Sequence, residues 1–279
     1  MLQISKVSLI TLRLYPSIVL SRSRYLHTSF PAFNMNSIKD LSENTWKPQH
    51  IQNLLNETVN SLDVSDASNA LSNGSCSGPS AVNNFLAFLQ IISSLKFQQR
   101  TGWTDRGIPQ LEAESISDHM YRMSIIAMIV PPTTVNKDKC VKIAIVHDLA
   151  ECLVGDITPF AGISKQEKHR RELETIEYLY EVIKPFNPAF ALEMRELWFD
   201  YEEIRTPEAR YVKDIDKFEM IQTAWEYEMR YGLKYDLDEF YSARAAIKTK
   251  EVGELCDAVI KKRELLMKQL REQGTQNID

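Results

Sequence analysis

Two adjacent side chains in the middle of the chain, His147 and Asp148, are of the types that bind metal ions or transfer protons. They lie in the run KIAIVHDLAECLVGD, whose aliphatic residues predict a largely buried helix that also carries Glu151. On a helix, His147 and Glu151 share a face, while Asp148 is turned about 100° away. Because a buried charge needs a partner, the cluster predicts either a simple His–Asp hydrogen bond or a site for a divalent cation.

A second histidine and two further acids occur in similar surroundings. His119 lies near the start of ESISDHMYRMSIIAMIV, a run with a clear apolar face, and Asp214 and Asp216 lie in TPEARYVKDIDKFEMIQTAWEYEM. The chain has five histidines, of which His27 and His50 lie in segments that we do not expect to pack. Helical spacing alone does not decide which of the two aspartates faces inward.

The combination H…HD…D resembles the signature of the HD superfamily of metal-dependent phosphohydrolases. It is formed here by His119, His147-Asp148 and Asp216. The runs RTGW, SDHMYRM, VHDLAE, GDI, KHRRE and VKDIDKFEM are similar to those of the HD domain-containing protein 2 family. Members of that family are 5'-deoxynucleotidases, and the resemblance covers about residues 83 to 265.

The resemblance implies a role for each matching residue. The expected metal ligands are His119, His147, Asp148 and Asp216. Asp216 is preferred over Asp214 because the family ligand stands three positions after a lysine, here Lys213. Glu151 is expected to be the catalytic carboxylate. The expected substrate contacts are Arg100, Trp103 and Asp156, although the spacing of the first two differs from that in bacterial relatives.

Two imidazoles and two carboxylates suit a divalent ion such as Mn, Co, Mg, Fe, Ni or Zn, and the ligand set does not select among them. Attack of a metal-bound water on a deoxyribonucleoside 5'-monophosphate would release the deoxyribonucleoside and phosphate. Glu151 would orient or deprotonate that water, or protonate the leaving oxygen. The same ligands would also serve an HD-type phosphodiesterase or a nucleoside triphosphate hydrolase. A helical interaction module that keeps the metal only for stability is the non-enzymatic alternative.

A basic run, KQEKHRR from Lys165, has two interpretations. It could guide a phosphate toward the metal. Alternatively, it forms a solvated helix face that pairs with Glu167, Glu172 and Glu174.

The elements that must position these residues are predicted to be all-α, an HD-domain helical bundle of about eight helices. Apolar residues recur with helical periodicity, and the alternation typical of strands is absent. Thr206, Pro207 and Glu208 predict an N-cap, a first-turn proline and a first-turn acid. The predicted helices are roughly 83–100, 116–130, 137–154, 165–184, 189–203, 207–230, 236–248 and 251–272.

The HD domain is predicted over 83–273 and is preceded by a disordered N-terminal extension. Residues 1–34 carry four basic residues and no acid, which resembles a mitochondrial presequence and predicts a mitochondrial protein. Translation from Met35 would instead predict a cytoplasmic protein. Residues 35–82, much of them Ser-, Asn- and Gly-rich, predict a polar linker.

The composition of the chain limits the kinds of partner that we expect it to bind. The net charge is -5, and about -9 without the basic residues of 1–34, which is a poor match for a nucleic-acid polymer and favours a small phosphorylated ligand. An apolar run of the roughly 20 residues that span a bilayer is absent, so no membrane partner is expected. The four cysteines are widely spaced, which argues against a zinc ribbon or a disulfide framework. The family resemblance also implies a homodimer.

Overall fold

The computed structural model describes residues 46–49, 79–129 and 134–276, and these ranges contain no β-strand. The all-α prediction is therefore confirmed. The helices are α1 (Pro79–Ile92), α2 (Thr101–Asp105), α3 (Ile116–Ile129), α4 (Lys137–Val146), α5 (Glu151–Val154), α6 (Lys165–Ile183), α7 (Pro188–Glu203), α8 (Pro207–Tyr231), α9 (Asp238–Tyr241) and α10 (Lys250–Gln276). Two 3-10 helices, Ser93–Lys96 and Ser242–Ala246, follow α1 and α9. Within the described ranges, no helix combines the length and hydropathy needed to cross a membrane.

The predicted presequence, residues 1–34, lies outside the described residues, and so does most of the predicted linker. Two parts of that linker range nevertheless belong to the folded domain. α1 begins at Pro79, and Trp46 is fully buried beside the guanidinium of Arg171, 5.6 Å from its ring centroid. Arg171 is itself buried and donates to Glu167 across 2.6 Å. The average polarity of the segment predicts a linker, but it does not detect a single large aromatic residue that packs in the core.

Helix α8 is the centre of the bundle. It packs against α3, α4, α7 and α10, and α3 packs in turn along α4. Fully buried aliphatic residues such as Met123, Ile143 and Ile215 fill these contacts, and each stabilises the fold by about 1.5–3 kcal/mol. The three helices that carry or directly precede the predicted metal ligands are therefore neighbours around one core.

The start of α8 has the predicted cap. Thr206 accepts a hydrogen bond from the backbone N–H of Ala209 through Oγ1, at 3.2 Å, and Pro207 is the first helical residue. Proline removes no hydrogen bond at this position, because the first N–H groups of a helix have no partner within the helix. This cap fixes the register of the helix on which Asp214 and Asp216 lie.

The predicted helix 137–154 is interrupted where the candidate chemistry lies. α4 ends at Val146, residues 147–150 form a turn, and α5 begins at Glu151. The turn is tighter than an α-helix, since the N–H of Leu149 bonds to the carbonyl of Val146 and that of Glu151 to the carbonyl of Asp148, each at 3.0 Å. Helical periodicity continues through these residues, and for that reason the sequence does not reveal the break.

Candidate active site

His119 lies in the first turn of α3 and is completely buried. Its Nδ1 lies 2.5 Å from Oε2 of Glu219 on α8, so the Nδ1–H group donates to that carboxylate and Nε2 faces the site. Burial and the nearby Arg100 lower the pKa of His119, but Glu219 and Asp216 outweigh them and raise it to about 10. A bound cation therefore competes with a proton for Nε2 of His119.

Glu219 was not among the residues selected from the sequence. Its other oxygen accepts a hydrogen bond from Nε of Arg122 at 2.7 Å. Burial raises the pKa of Glu219, but His119 and Arg122 overcome that effect and hold it at about 2. A carboxylate behind an imidazole is the usual way in which proteins orient a metal-binding histidine. The signal in the sequence is its position three residues after Asp216, next to the buried face of α8.

Replacing Glu219 with glutamine should reduce the affinity of the protein for a divalent metal ion by about 10- to 100-fold, the cost typical of losing such an orienting partner. Competition with a chromogenic chelator measures the change. Glu226→Gln is the matched control, because Glu226 also accepts a hydrogen bond from Arg122, whose Nη1 lies 2.7 Å from Oε2 of Glu226. If both variants lose affinity equally, the effect belongs to Arg122 and not to the orientation of His119.

The second histidine, His147, follows directly after α4. Its Nδ1–H donates to the carbonyl oxygen of Ala144 at 2.9 Å, which leaves Nε2 as the ligand nitrogen. That Nε2 lies 3.1 Å from Oδ2 of Asp148, its neighbour in sequence. The two side chains are adjacent in sequence, and both line the same cleft.

The two aspartates of α8 have different surroundings. Asp216 Oδ1 lies 3.3 Å from Nε2 of His119, and Asp216 Oδ2 accepts a hydrogen bond from the hydroxyl of Tyr201 at 2.7 Å. Asp214 Oδ2 instead accepts from the backbone N–H groups of Lys248 and Thr249, at 2.8 and 2.7 Å, just before α10. The structure therefore brings Asp216 to the histidines and uses Asp214 to anchor the last helix.

The residues present fit a divalent cation. Nε2 of His119 and Nε2 of His147 are buried and have no hydrogen-bond partner among the described residues. Ligand atoms from His119, His147 and Asp148 all lie within 4.8 Å of one another. Nitrogen and oxygen ligands about 2.0–2.2 Å from an ion lie roughly 3.0–3.4 Å apart, and the 3.1 and 3.3 Å separations above agree with that spacing. Two orphaned nitrogens among carboxylates are best explained by a shared cation.

Glu151 and Lys168 form the next layer of the site. Glu151 is buried at the start of α5, with Oε1 3.8 Å from Nζ of Lys168 on α6. Burial, together with the charges of Asp148 and Asp156, raises the pKa of Glu151 well above its usual value. The basic run therefore divides: Lys168 faces the site, and Arg170, a neighbour in the same run, pairs with Glu167 and Glu174 on α6.

Arg100 and Asp156 lie at the edge of the same cleft. Nη1 of Arg100 is 3.7 Å from Oδ2 of Asp148. Asp156 Oδ2 accepts a hydrogen bond from the backbone N–H of Thr101 at 2.6 Å, at the start of the short helix α2 that sequence analysis missed. Asp156 thus fixes the backbone directly after Arg100.

Trp103, for which a substrate contact is predicted, lies in the core at the edge of a cavity that Arg100 also lines. It is 1% exposed, and its ring packs against Phe240 with centroids 4.4 Å apart. Its Nε1–H donates to Oε1 of Glu114 at 2.9 Å, and the same oxygen lies 3.8 Å from Nε of Arg100. The indole therefore acts on the site through Glu114, and its contact with substrate stays a prediction.

These side chains surround a cleft of about 350 Å³. Its walls combine the acids expected around a metal with cations suited to a phosphate. The lining residues are Arg100, His147, Asp148, Glu151, Asp156, Lys165, Lys168, His169, Glu172, Tyr201, Glu202, Lys213 and Asp216. Such an arrangement can hold a divalent ion and a phosphoryl group side by side.

Known proteins resemble this chain in sequence and in fold. A family described as HD domain matches residues 92–256. The 5'-deoxynucleotidase YBR242W of Saccharomyces cerevisiae is 54% identical over 182 residues, which are 64% of this chain and 76% of the relative. The 5'-deoxynucleotidase HDDC2 of Homo sapiens is 42% identical over 176 residues, 63% and 83% of the two chains. The solved structure of HD domain-containing protein YGK1 superposes with a TM-score of 0.58 at 36% identity, covering 80% of this chain and all of that one.

Proposed function

The chain belongs to the HD domain-containing protein 2 family, and on that premise we propose that it is a metal-dependent 5'-deoxynucleotidase that converts deoxyribonucleoside 5'-monophosphates to deoxyribonucleosides and phosphate. The observation that carries the proposal is the pair of buried, unpartnered Nε2 atoms of His119 and His147 beside two carboxylates. The proposed ligands are these histidines with Asp148 and Asp216. Mn or Co is the proposed ion.

A divalent ion in this position supplies Lewis-acid chemistry, since it polarises a phosphoryl oxygen and makes water more acidic. The protein supplies the proton transfer. Glu151 is buried at the edge of the cleft, and burial with the neighbouring carboxylates raises its pKa well above the usual value, which suits a carboxyl that exchanges a proton. We assign to it the proton exchange with the attacking water or with the leaving 5'-oxygen.

The cations of the cleft orient the phosphate. Arg100 is positioned by Glu114 on one side and by the capped start of α2 on the other. Its guanidinium can bind two phosphate oxygens at once. Lys168 lies across the cleft, held by the carbonyl of Ile157 at 3.2 Å and by Glu172 at 3.4 Å. Both cations reduce the repulsion that an anionic substrate meets from the surrounding acids.

Purified protein loaded with Mn or Co should release phosphate from dAMP, dGMP and dCMP faster than from the corresponding ribonucleotides. Phosphate release measured before and after removal of the metal by a chelator tests this expectation. Faster hydrolysis of a cyclic nucleotide or a nucleoside triphosphate would contradict it and favour the second enzymatic alternative. A rise in melting temperature on adding metal, without turnover of any of these compounds, would favour the non-catalytic module.

We also propose a location in the cell and an oligomeric state, each supported by one observation. The basic, acid-free composition of residues 1–34 supports mitochondrial targeting. The family resemblance supports a homodimer. Neither property is needed for the chemistry above, since every proposed ligand comes from one chain.

A further inference from the structure

A second cavity opens beside the metal cleft. It encloses about 450 Å³ and shares Arg100, Asp156 and Lys168 with the cleft of about 350 Å³ described above. The two spaces therefore meet at the very groups proposed to orient the phosphate. Volumes of about 300–1,000 Å³ are typical of small-molecule sites, so the second cavity is large enough to receive a substantial part of a substrate.

Much of the lining of this cavity is apolar or aromatic, unlike that of the metal cleft, and its charged members beyond the shared groups are Asp105, Arg106 and Glu239. The segment after α5 contributes Ile157, Pro159 and Phe160 to this lining, and the other large apolar members are Trp103 of α2, Met220 of α8 and Phe240 of α9. A ligand that spans both spaces must accordingly be anionic at one end and flat or apolar at the other. A nucleoside monophosphate has this distribution of charge.

Phe160 is the most exposed aromatic residue of this wall. Its side chain is 75% exposed, and the guanidinium of Arg106 lies 5.9 Å from the ring centroid. Arg106 in turn pairs with Glu239 of α9. The ring is thus linked through Arg106 to α9, which also lines the cavity, while most of its surface remains accessible to a ligand.

We propose that the second cavity is the nucleoside subsite, and that the base of the substrate stacks on Phe160. This inference rests on the proposed function, because it takes the phosphate to lie between Arg100 and Lys168. Aromatic side chains bind bases through their π-faces without selecting among them. The wall formed by Phe160 therefore contributes affinity for any base, and this contribution is absent for a phosphate ester that has no base.

The test compares dAMP with 2-deoxyribose 5-phosphate, which has the same sugar and phosphate but no base. In the metal-loaded enzyme, Phe160→Ala should reduce the advantage in KM that dAMP has over 2-deoxyribose 5-phosphate by about tenfold, within the range reported for one base–aromatic stack. Phe160→Trp should retain the advantage, because it restores an aromatic face. Phe97→Ala is the matched control, since Phe97 is also 75% exposed but lines neither cavity.

An equal loss for dAMP and 2-deoxyribose 5-phosphate in Phe160→Ala would overturn the inference, and so would an unchanged ratio of KM values. Calorimetric binding of both compounds to the metal-loaded protein separates this inference from the proposed function. If the wild-type protein hydrolyses neither compound, the proposed function fails. Tighter binding of dAMP than of 2-deoxyribose 5-phosphate, lost in Phe160→Ala, would still support the base subsite, and equal binding would reject it.

Discussion

Glu151→Gln should lower kcat for dAMP by about 10²- to 10⁴-fold, the range that positioned acid–base groups contribute. Glutamine preserves the size of the side chain but cannot exchange a proton, so the metal and the nucleotide should still bind. Because burial and the neighbouring carboxylates raise the pKa of Glu151, its titration should set one limb of the kcat–pH profile of the wild-type enzyme. That limb should be missing from the profile of the variant.

Glu172→Gln provides the matched control for this experiment. Glu172 also lies in the cleft and near Lys168, at 3.4 Å, and burial raises its pKa to about 7. If the effect of Glu151 came only from its charge on Lys168, the two variants would lose similar fractions of kcat. We expect a much smaller loss in Glu172→Gln. Comparable losses, or full activity in Glu151→Gln, would remove Glu151 from the proton-transfer step.

Asp214→Ala and Asp216→Ala should affect different properties of the protein, the first its stability and the second its affinity for the metal. Asp214→Ala should lower the free energy of unfolding of the metal-free protein by about 2–4 kcal/mol, because two backbone N–H groups lose a charged acceptor. Its affinity for the metal should change little. Asp216→Ala should affect unfolding less, but it should lower metal affinity by more than the roughly 10- to 100-fold expected of an outer partner such as Glu219.

Urea unfolding of the metal-free proteins and chelator competition with the metal measure the two effects separately. The pair is internally controlled, since the aspartates lie two residues apart on α8 and undergo the same substitution. A loss of metal affinity in Asp214→Ala without a loss in Asp216→Ala would show that the wrong aspartate has been assigned to the metal.

The sequence could indicate the ingredients of the site because polar side chains are conspicuous in apolar helices. His119, His147 and Asp148 each interrupt a run that otherwise predicts burial, and the structure brings them together. The choice of Asp216 over Asp214 needed the family resemblance. Both side chains are compatible with helical spacing, and only the position of the start of α10 shows that Asp214 has another partner.

Other features were not accessible because they depend on contacts between distant segments. Glu219 resembles any helical acid until α3 places His119 against it, 100 residues earlier in the chain. The family resemblance implied a substrate contact for Trp103, but its burial against Phe240 depends on the packing of α9 and was not predicted. The turn at residues 147–150 is hidden because apolar residues continue on the helical period through Leu149 and Leu153.

The burial of Trp46 shows that the packed interior of the protein includes residues well before the start of the family match. The family match begins at residue 92, but Arg171 on α6 keeps its aromatic neighbour only if the chain also contains residue 46. A shortened protein that starts at Asn83 would open this part of the interior to solvent, although it would retain every proposed ligand. The limit of the family match and the limit of the packed interior are therefore different positions in the chain.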